Sequence, residues 1–182
     1  DPEVAALVAG LRGELARAET FESGGRFAHA LAVPNSAPAV APASYLPLRA
    51  ELELRRGSVR ENEGRYVEAR KAFEDAFFAA VESGHLAVAA GAATRVAYVA
   101  GRRMYDSVAA DDWLEHAEIY GERHGDPLRL ARALTVRGAL ANLREQPAAA
   151  REALTRALRL LHDAGAEDTV DHARALRFYG DH

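Results

Sequence analysis

A 35-residue stretch of this chain, Ala50 to Gly84, returns 81 positions further on. Ala50, Arg56, Gly57, Ala69, Arg70, Ala72, Ala76 and Gly84 are matched by Ala131, Arg137, Gly138, Ala150, Arg151, Ala153, Ala157 and Gly165. That offset is too long for one helical hairpin and fits two of about 40 residues, within the range of helical repeats. A degenerate copy is therefore expected between them, and Ala110 to Ala117 reproduces the spacing of Ala69 to Ala76 and of Ala150 to Ala157. Four places after the first alanine stands a large apolar residue each time: Phe73, Leu114, Leu154. Small residues mark where two helix backbones approach, and the large one fills the space beside them. Glycine inside a helix costs about 1 kcal/mol relative to alanine, so its return at Gly57 and Gly138 points to close packing against a neighbouring helix.

Together Gly57, Gly64, Tyr66, Ala69, Phe73 and Ala76 resemble the signature of the tetratricopeptide repeat. The resemblance covers 50–83 well and 131–164 with Glu145 and Pro147 in place of the turn Gly and Tyr. It covers 86–120 weakly, and there the turn Gly101-Arg-Arg-Met-Tyr-Asp106 is expected to carry extra residues. The family implies an all-α fold, a right-handed α-solenoid of helical hairpins with a C-terminal capping helix. The lengthened repeats also resemble the helical segment that follows the kinase domain in some bacterial serine/threonine protein kinases. One repeat domain over 1–182 is expected: an atypical first repeat with a Pro-rich break (1–47), the best repeat (48–84), a degenerate one (85–125), a further one (126–165) and a capping helix (166–182).

Composition agrees with packed helices. Apolar residues are 49% and dominated by alanine, and aromatics are 7%, which favours closely spaced helices over a sandwich of sheets. A net charge of −4 gives no electrostatic case for nucleic acid or an anionic membrane. The absence of cysteine excludes disulfides and thiolate metal sites and fits a reducing, cytoplasmic setting. No apolar run reaches the roughly 18 residues of a membrane span. The chain opens on Asp1 rather than Met, which suggests a fragment of a longer protein.

Helices are expected at about 3–22, from Phe27, and over 48–62, 66–83, 86–103, 108–123, 127–144, 147–163 and 168–179. Pro34, Pro38, Pro42 and Pro47 make 34–47 a broken helix or loop. Gly84, Gly125 and Gly165 suit the left-handed residue that ends a helix, and Asp126-Pro127 reads as an N-cap with a first-turn proline.

Catalytic and metal signatures are missing. There is no His-Glu-x-x-His, no phosphate-binding Gly-x-x-x-x-Gly-Lys loop and no Gly-x-Ser-x-Gly elbow. The densest His/carboxylate cluster, His162, Asp163, Asp168, Asp171 and His172, is explained by helix-end capping and solvation. His116 with His124, and Asp111-Asp112 with Glu115, read as helix surface and helix start. Neither catalytic residues, metal ligands nor a cofactor are expected.

What remains is surface. The resemblance implies that the first helix of each hairpin lines a concave groove for an extended peptide or partner protein. Carried onto this chain, the groove comprises Glu51, Leu54, Arg55, Ser58 and Asn62, then Arg95, Tyr98 and Arg102, then Arg132, Thr135, Val136, Ala139 and Asn142. Arg and Tyr dominate interface hot spots. The expected function is a non-catalytic interaction scaffold within a larger bacterial signalling protein, with no nucleic-acid or membrane partner. The rival readings are a ligand sensor that closes the superhelix, and an enzyme built around His162, Asp168, Asp171 and His172. Arg55→Ala or Arg95→Ala is expected to weaken partner binding without lowering helicity or Tm.

Overall fold

The computed structural model describes residues 2–23, 26–36 and 45–180, and among them the regular structure is helical throughout. By packing, the chain divides into two compact units, 1–88 and 89–182. Inside each unit consecutive helices pack on their neighbours in sequence, the all-α, solenoid-like arrangement expected from the repeats.

The first unit holds α1 (Pro2–Ser23), α2 (Phe27–Ser36), α3 (Leu46–Asn62) and α4 (Tyr66–Glu82). Val8, Leu11 and Leu15 on one side of α1 are buried with Leu48 and Leu52 of α3, and Ala30 and Leu31 of α2 meet Val59. The α3–α4 hairpin closes around Gly57. A Cβ there would stand 2.5 Å from Cδ1 and Cε1 of the fully buried Phe73, so only a glycine lets the ring lie against the α3 backbone.

At the unit boundary α5 (Leu86–Tyr98) begins, and it continues as a π turn, Val99–Arg103. The second unit then runs through α6 (Ser107–His124), α7 (Pro127–Leu143), α8 (Pro147–Asp163) and α9 (Val170–Gly180). Asp106 and Asp126 cap α6 and α7, their carboxylates accepting from the amides of Ala109 (3.1 Å) and Leu128 (2.9 Å). These bonds satisfy amides that the first helical turn leaves without partners. In the α7–α8 hairpin Gly138 lies against Leu154 as Gly57 lies against Phe73. Leu130, Ala131, Leu134, Ala157 and Leu161 form its core, and Ala175 of α9 joins them.

Backbone conformation shows how regular the repeat is. In the hairpins α3–α4, α5–α6 and α7–α8 the inner turn has one left-handed residue, Gly64, Tyr105 or Glu145, with φ of 78°, 57° and 57°. The turn after each hairpin has another, Gly84, Gly125 or Gly165, with φ of 70°, 70° and 65°. Both series step by 41 and then 40 residues. The additional residue of the middle repeat therefore lies between Gly84 and Tyr105. It is not in the turn, contrary to expectation. Met104-Tyr105-Asp106 is three residues long, as are Glu63-Gly64-Arg65 and Arg144-Glu145-Gln146. The helix itself absorbs it. The amide of Asp106 reaches back six residues to the carbonyl of Ala100, where Arg65 and Gln146 reach back five, to Arg60 and Ala141. A π turn is the usual form of a one-residue insertion in an α-helix. Counted from the preceding left-handed glycine, Ala97 holds the place of Gly138, and the hairpin with a methyl group there is the one whose helix loosens two residues later.

Most of the expected loop at 34–47 falls on 37–44, outside the described residues; at its edges Pro34 lies within α2, and Pro47 sits in the first turn of α3. No helix among the described residues is long and apolar enough to cross a membrane.

Candidate functional site

In the first unit, the expected groove residues of α3 are engaged by α1. Arg12 Nε lies 3.1 and 2.9 Å from the two carboxylate oxygens of Glu51, with Nη2 at 2.6 Å. This pairing with Glu51 raises the guanidinium's already high pKa. Glu22 accepts from Arg55 Nη1 at 2.7 Å and from Asn62 Nδ2 at 2.6 Å. Leu54 and Ser58 are half-buried. Glu51, Arg55 and Asn62 thus join the first helices of two successive hairpins.

The expectation that Arg55→Ala leaves Tm unchanged does not survive this geometry. The Arg55 and Glu22 side chains keep only 18% and 11% of their accessible surface. Removing the cation takes a charged hydrogen bond from a mostly desolvated carboxylate, a loss of about 1.5–3 kcal/mol. Thermal denaturation of Arg55→Ala is therefore expected to show a clear fall in Tm. An unchanged Tm would contradict the assigned pair.

In the second unit the corresponding helices look different. From Val88 to Gly101 every residue is buried except Gly91, Arg95 and Tyr98. Their spacing of four and three puts them on one side of α5. Arg102, exposed, follows in the π turn, and Arg103 sets its guanidinium 5.6 Å from the Tyr98 ring centroid. On α7 the residues that reach solvent include Arg129, Arg132 and Val136, again one helical stripe. The stripes adjoin: Arg129 Nη1 is 3.7 Å from where a Cβ on Gly91 would sit. Gly91 is the floor beneath that guanidinium.

Arg95, Tyr98, Arg102, Arg132 and Val136 thus fall on two neighbouring strips of helix surface. The remaining α7 residues do not. Thr135 is buried, its hydroxyl donating to the carbonyl of Ala131 at 2.7 Å, and Ala139 is buried as well. Asn142 donates from Nδ2 to the carbonyl of Phe178 at 2.7 Å, which holds it under α9. Arg132 also meets α9, through Asp171 at 2.6 Å. Sequence reasoning missed Gly91 and Arg129, although each lies one helical turn before a chosen residue, Arg95 and Arg132, and the same period would have found them.

The His/carboxylate cluster is divided among structural partners. Asp171 faces Arg132 and, at 3.5 Å, Arg174, while Thr169 Oγ1 accepts from the amide of His172. Asp111 is bound by Arg144 at 2.9 Å, and Trp113 and His116 bring their rings to 5.5 Å. Among the described residues no three His, Cys, Asp or Glu side chains form a metal-binding group.

His162 Nδ1 lies 2.5 Å from Glu167 Oε1, and this hydrogen bond raises the imidazole's pKa above the ordinary 6.5. A raised folded-state value means the pair stabilises the fold at pH below the unfolded value, and that this contribution is lost as pH rises through the folded one. Both groups are solvent-exposed, so the effect on stability is small and the titration itself is the readout. By NMR, His162 is expected to titrate above 6.5, and Glu167→Gln to bring it back to the ordinary range. Identical titration in the two proteins would contradict the pairing.

Compared with known proteins, the chain matches no protein-family model and no curated protein.

Proposed function

We infer that this chain is a non-catalytic interaction module of tetratricopeptide type that holds an extended peptide or partner protein against the first helices of its hairpins. One observation carries the reading: from Val88 on, the otherwise buried α5 opens to solvent along a single stripe of Gly91, Arg95 and Tyr98, beside Arg129, Arg132 and Val136 of α7. Arginine and tyrosine are over-represented where binding energy concentrates. Hairpins fixed by glycine-to-aromatic and glycine-to-leucine contacts are rigid, which lowers the ordering cost of capturing a flexible segment. The resemblance to the segment following some bacterial kinase domains supports a place within a cytoplasmic signalling protein.

A second kind of surface has its own support, with one apolar patch in each unit. Val67 and Phe78 on α4 are 67% and 61% exposed, and Val108 and Ile119 on α6, each 41 positions later, are 72% and 45% exposed. The two readings are separated by selecting binders from a displayed peptide library and measuring them by calorimetry. Tyr98→Ala is expected to weaken the selected peptide about thirtyfold or more, at the roughly 2 kcal/mol level of a hot spot, while Phe78→Ala leaves it unchanged. The reverse order would move binding to the apolar patch of α4.

A further inference from the structure

The first three helices of the second unit, α5 to α7, largely separate their charges. From Leu86 to Arg103 the ionisable residues are Arg95, Tyr98, Arg102 and Arg103, and along α7 they are Arg129, Arg132 and Arg137; neither stretch contains an aspartate or a glutamate. On α6, between them in sequence, stand Asp111, Asp112, Glu115, Glu118 and Glu122, with Arg123 in its last turn. The first unit is organised otherwise. There α3 mixes Arg49, Arg55, Arg56 and Arg60 with Glu51, Glu53 and Glu61, and α1 adds Arg12 and Glu22 as partners across the helices.

Two carboxylates approach the α7 strip from its edges. Asp126, the cap of α7, sits 3.2 Å from Arg129 Nε, and Asp171 of α9 sits 2.6 Å from Arg132 Nε. Arg137 turns to Glu118 of α6 at 2.5 Å. The protein as a whole is acidic, at −4, so this cationic surface is local. Guanidinium groups present several donors in a fixed fork that matches a carboxylate, and Tyr98 adds a flat ring with a hydroxyl at its end.

We propose that the α5/α7 face of the second unit recognises an acidic peptide, whose carboxylates pair with Arg95, Arg102, Arg129 and Arg132. This rests on the interaction reading above and adds the chemistry of the partner. A peptide is favoured over a nucleic acid because the strips carry a single aromatic ring, Tyr98, and not the succession of stacking platforms that single strands use. Exposed ion pairs contribute about 0.2–1 kcal/mol each, so binding is the sum of several modest pairings and is strongly screened by salt.

The test uses the full chain and a fluorescent glutamate peptide of about ten residues, long enough when extended to span roughly 33 Å. A lysine peptide and a uridine oligonucleotide of matched length serve as comparisons, and binding is followed by anisotropy. The glutamate peptide is expected to bind and the lysine peptide not to. Raising salt from about 0.01 M to about 1 M shortens the screening length from about 30 Å to about 3 Å and is expected to abolish the signal. Arg102→Gln, at an exposed position, is expected to weaken binding about threefold, and the Arg95→Gln/Arg102→Gln pair about tenfold, a loss of about 1.4 kcal/mol. Circular dichroism confirms that each variant is folded. Arg151→Gln/Arg159→Gln removes two cations from the exposed face of α8 and is expected to change nothing.

Equal losses from the α8 pair would overturn the proposal, because they would reduce it to general charge attraction. Tighter binding of the uridine oligonucleotide than of the glutamate peptide would replace it with nucleic-acid recognition. A library-selected neutral peptide that loses affinity on Tyr98→Ala, with no binding of the glutamate peptide, would refute the acidic chemistry and leave the interaction reading intact. Failure of selected and glutamate peptides alike would end both.

Discussion

Phe73→Ala is expected to lower the unfolding free energy by about 3–5 kcal/mol, and in that background Gly57→Ala is expected to change from destabilising to stabilising. Phe73 is fully buried, and its ring carbons Cδ1 and Cε1 would lie 2.5 Å from a Cβ on Gly57. An aromatic ring in a close-packed core cannot bend away, so the added methyl is overpacked at a cost of about 1–3 kcal/mol. Alanine's helix propensity returns about 1 kcal/mol, leaving Gly57→Ala alone destabilising by up to about 2 kcal/mol on balance. Once the ring is gone the clash disappears and only the propensity gain remains. Denaturant unfolding of the wild type, the two single variants and the double variant measures the coupling directly. The same sign for Gly57→Ala in both backgrounds would show that the glycine is not there to admit the ring.

Leu140→Ala is expected to cost about 2–5 kcal/mol, in the upper half of that range. Leu140 lies on α7, yet its neighbours are Ala97 and Ala100 at the end of α5 and Ala110 and Leu114 of α6. Its methyls also reach the π turn, where a Cβ on Gly101 would be 2.8 Å from Cδ1. Four of these five neighbours are alanine or glycine, with too little side chain to relax into a cavity, so the void stays open. Leu140→Met, which conserves volume, is expected to cost less than about 1.5 kcal/mol. Because Leu140 ties α7 to α5, the alanine variant is also expected to lower affinity for any ligand spanning both helices. A loss below about 0.5 kcal/mol, typical of surface positions, would mean the two hairpins are not joined through this residue.

The hairpin scaffold was legible because its requirements are local. Close approach of two backbones admits only Gly57, Gly138 or an alanine, and a left-handed turn prefers Gly84, Gly125 and Gly165, so the repeat writes itself in small residues. The π turn was not legible. Gly101, Asp106 and the intervening Arg-Arg-Met-Tyr look like turn chemistry, and one inserted residue leaves the same count whether it enters the turn or the helix. The site divides in the same way. Arg95, Tyr98 and Arg102 share a stripe through helical period alone, which sequence supplies. The engagement of Arg55 and Asn62 by Glu22 depends on how α1 is registered on α3, some 40 residues away, and no local signal carries that. Thr135 misled for a different reason: a polar residue can be buried at little cost when its hydroxyl closes on the carbonyl one turn back.

Amide NMR shift mapping with a library-selected peptide tests most directly that the first helices form the binding face. Perturbations are predicted to concentrate at Arg95, Tyr98, Arg102, Arg129, Arg132 and Val136, with Val67, Phe78, Val108 and Ile119 silent. Perturbations confined to those four, with α5 and α7 undisturbed, would contradict it.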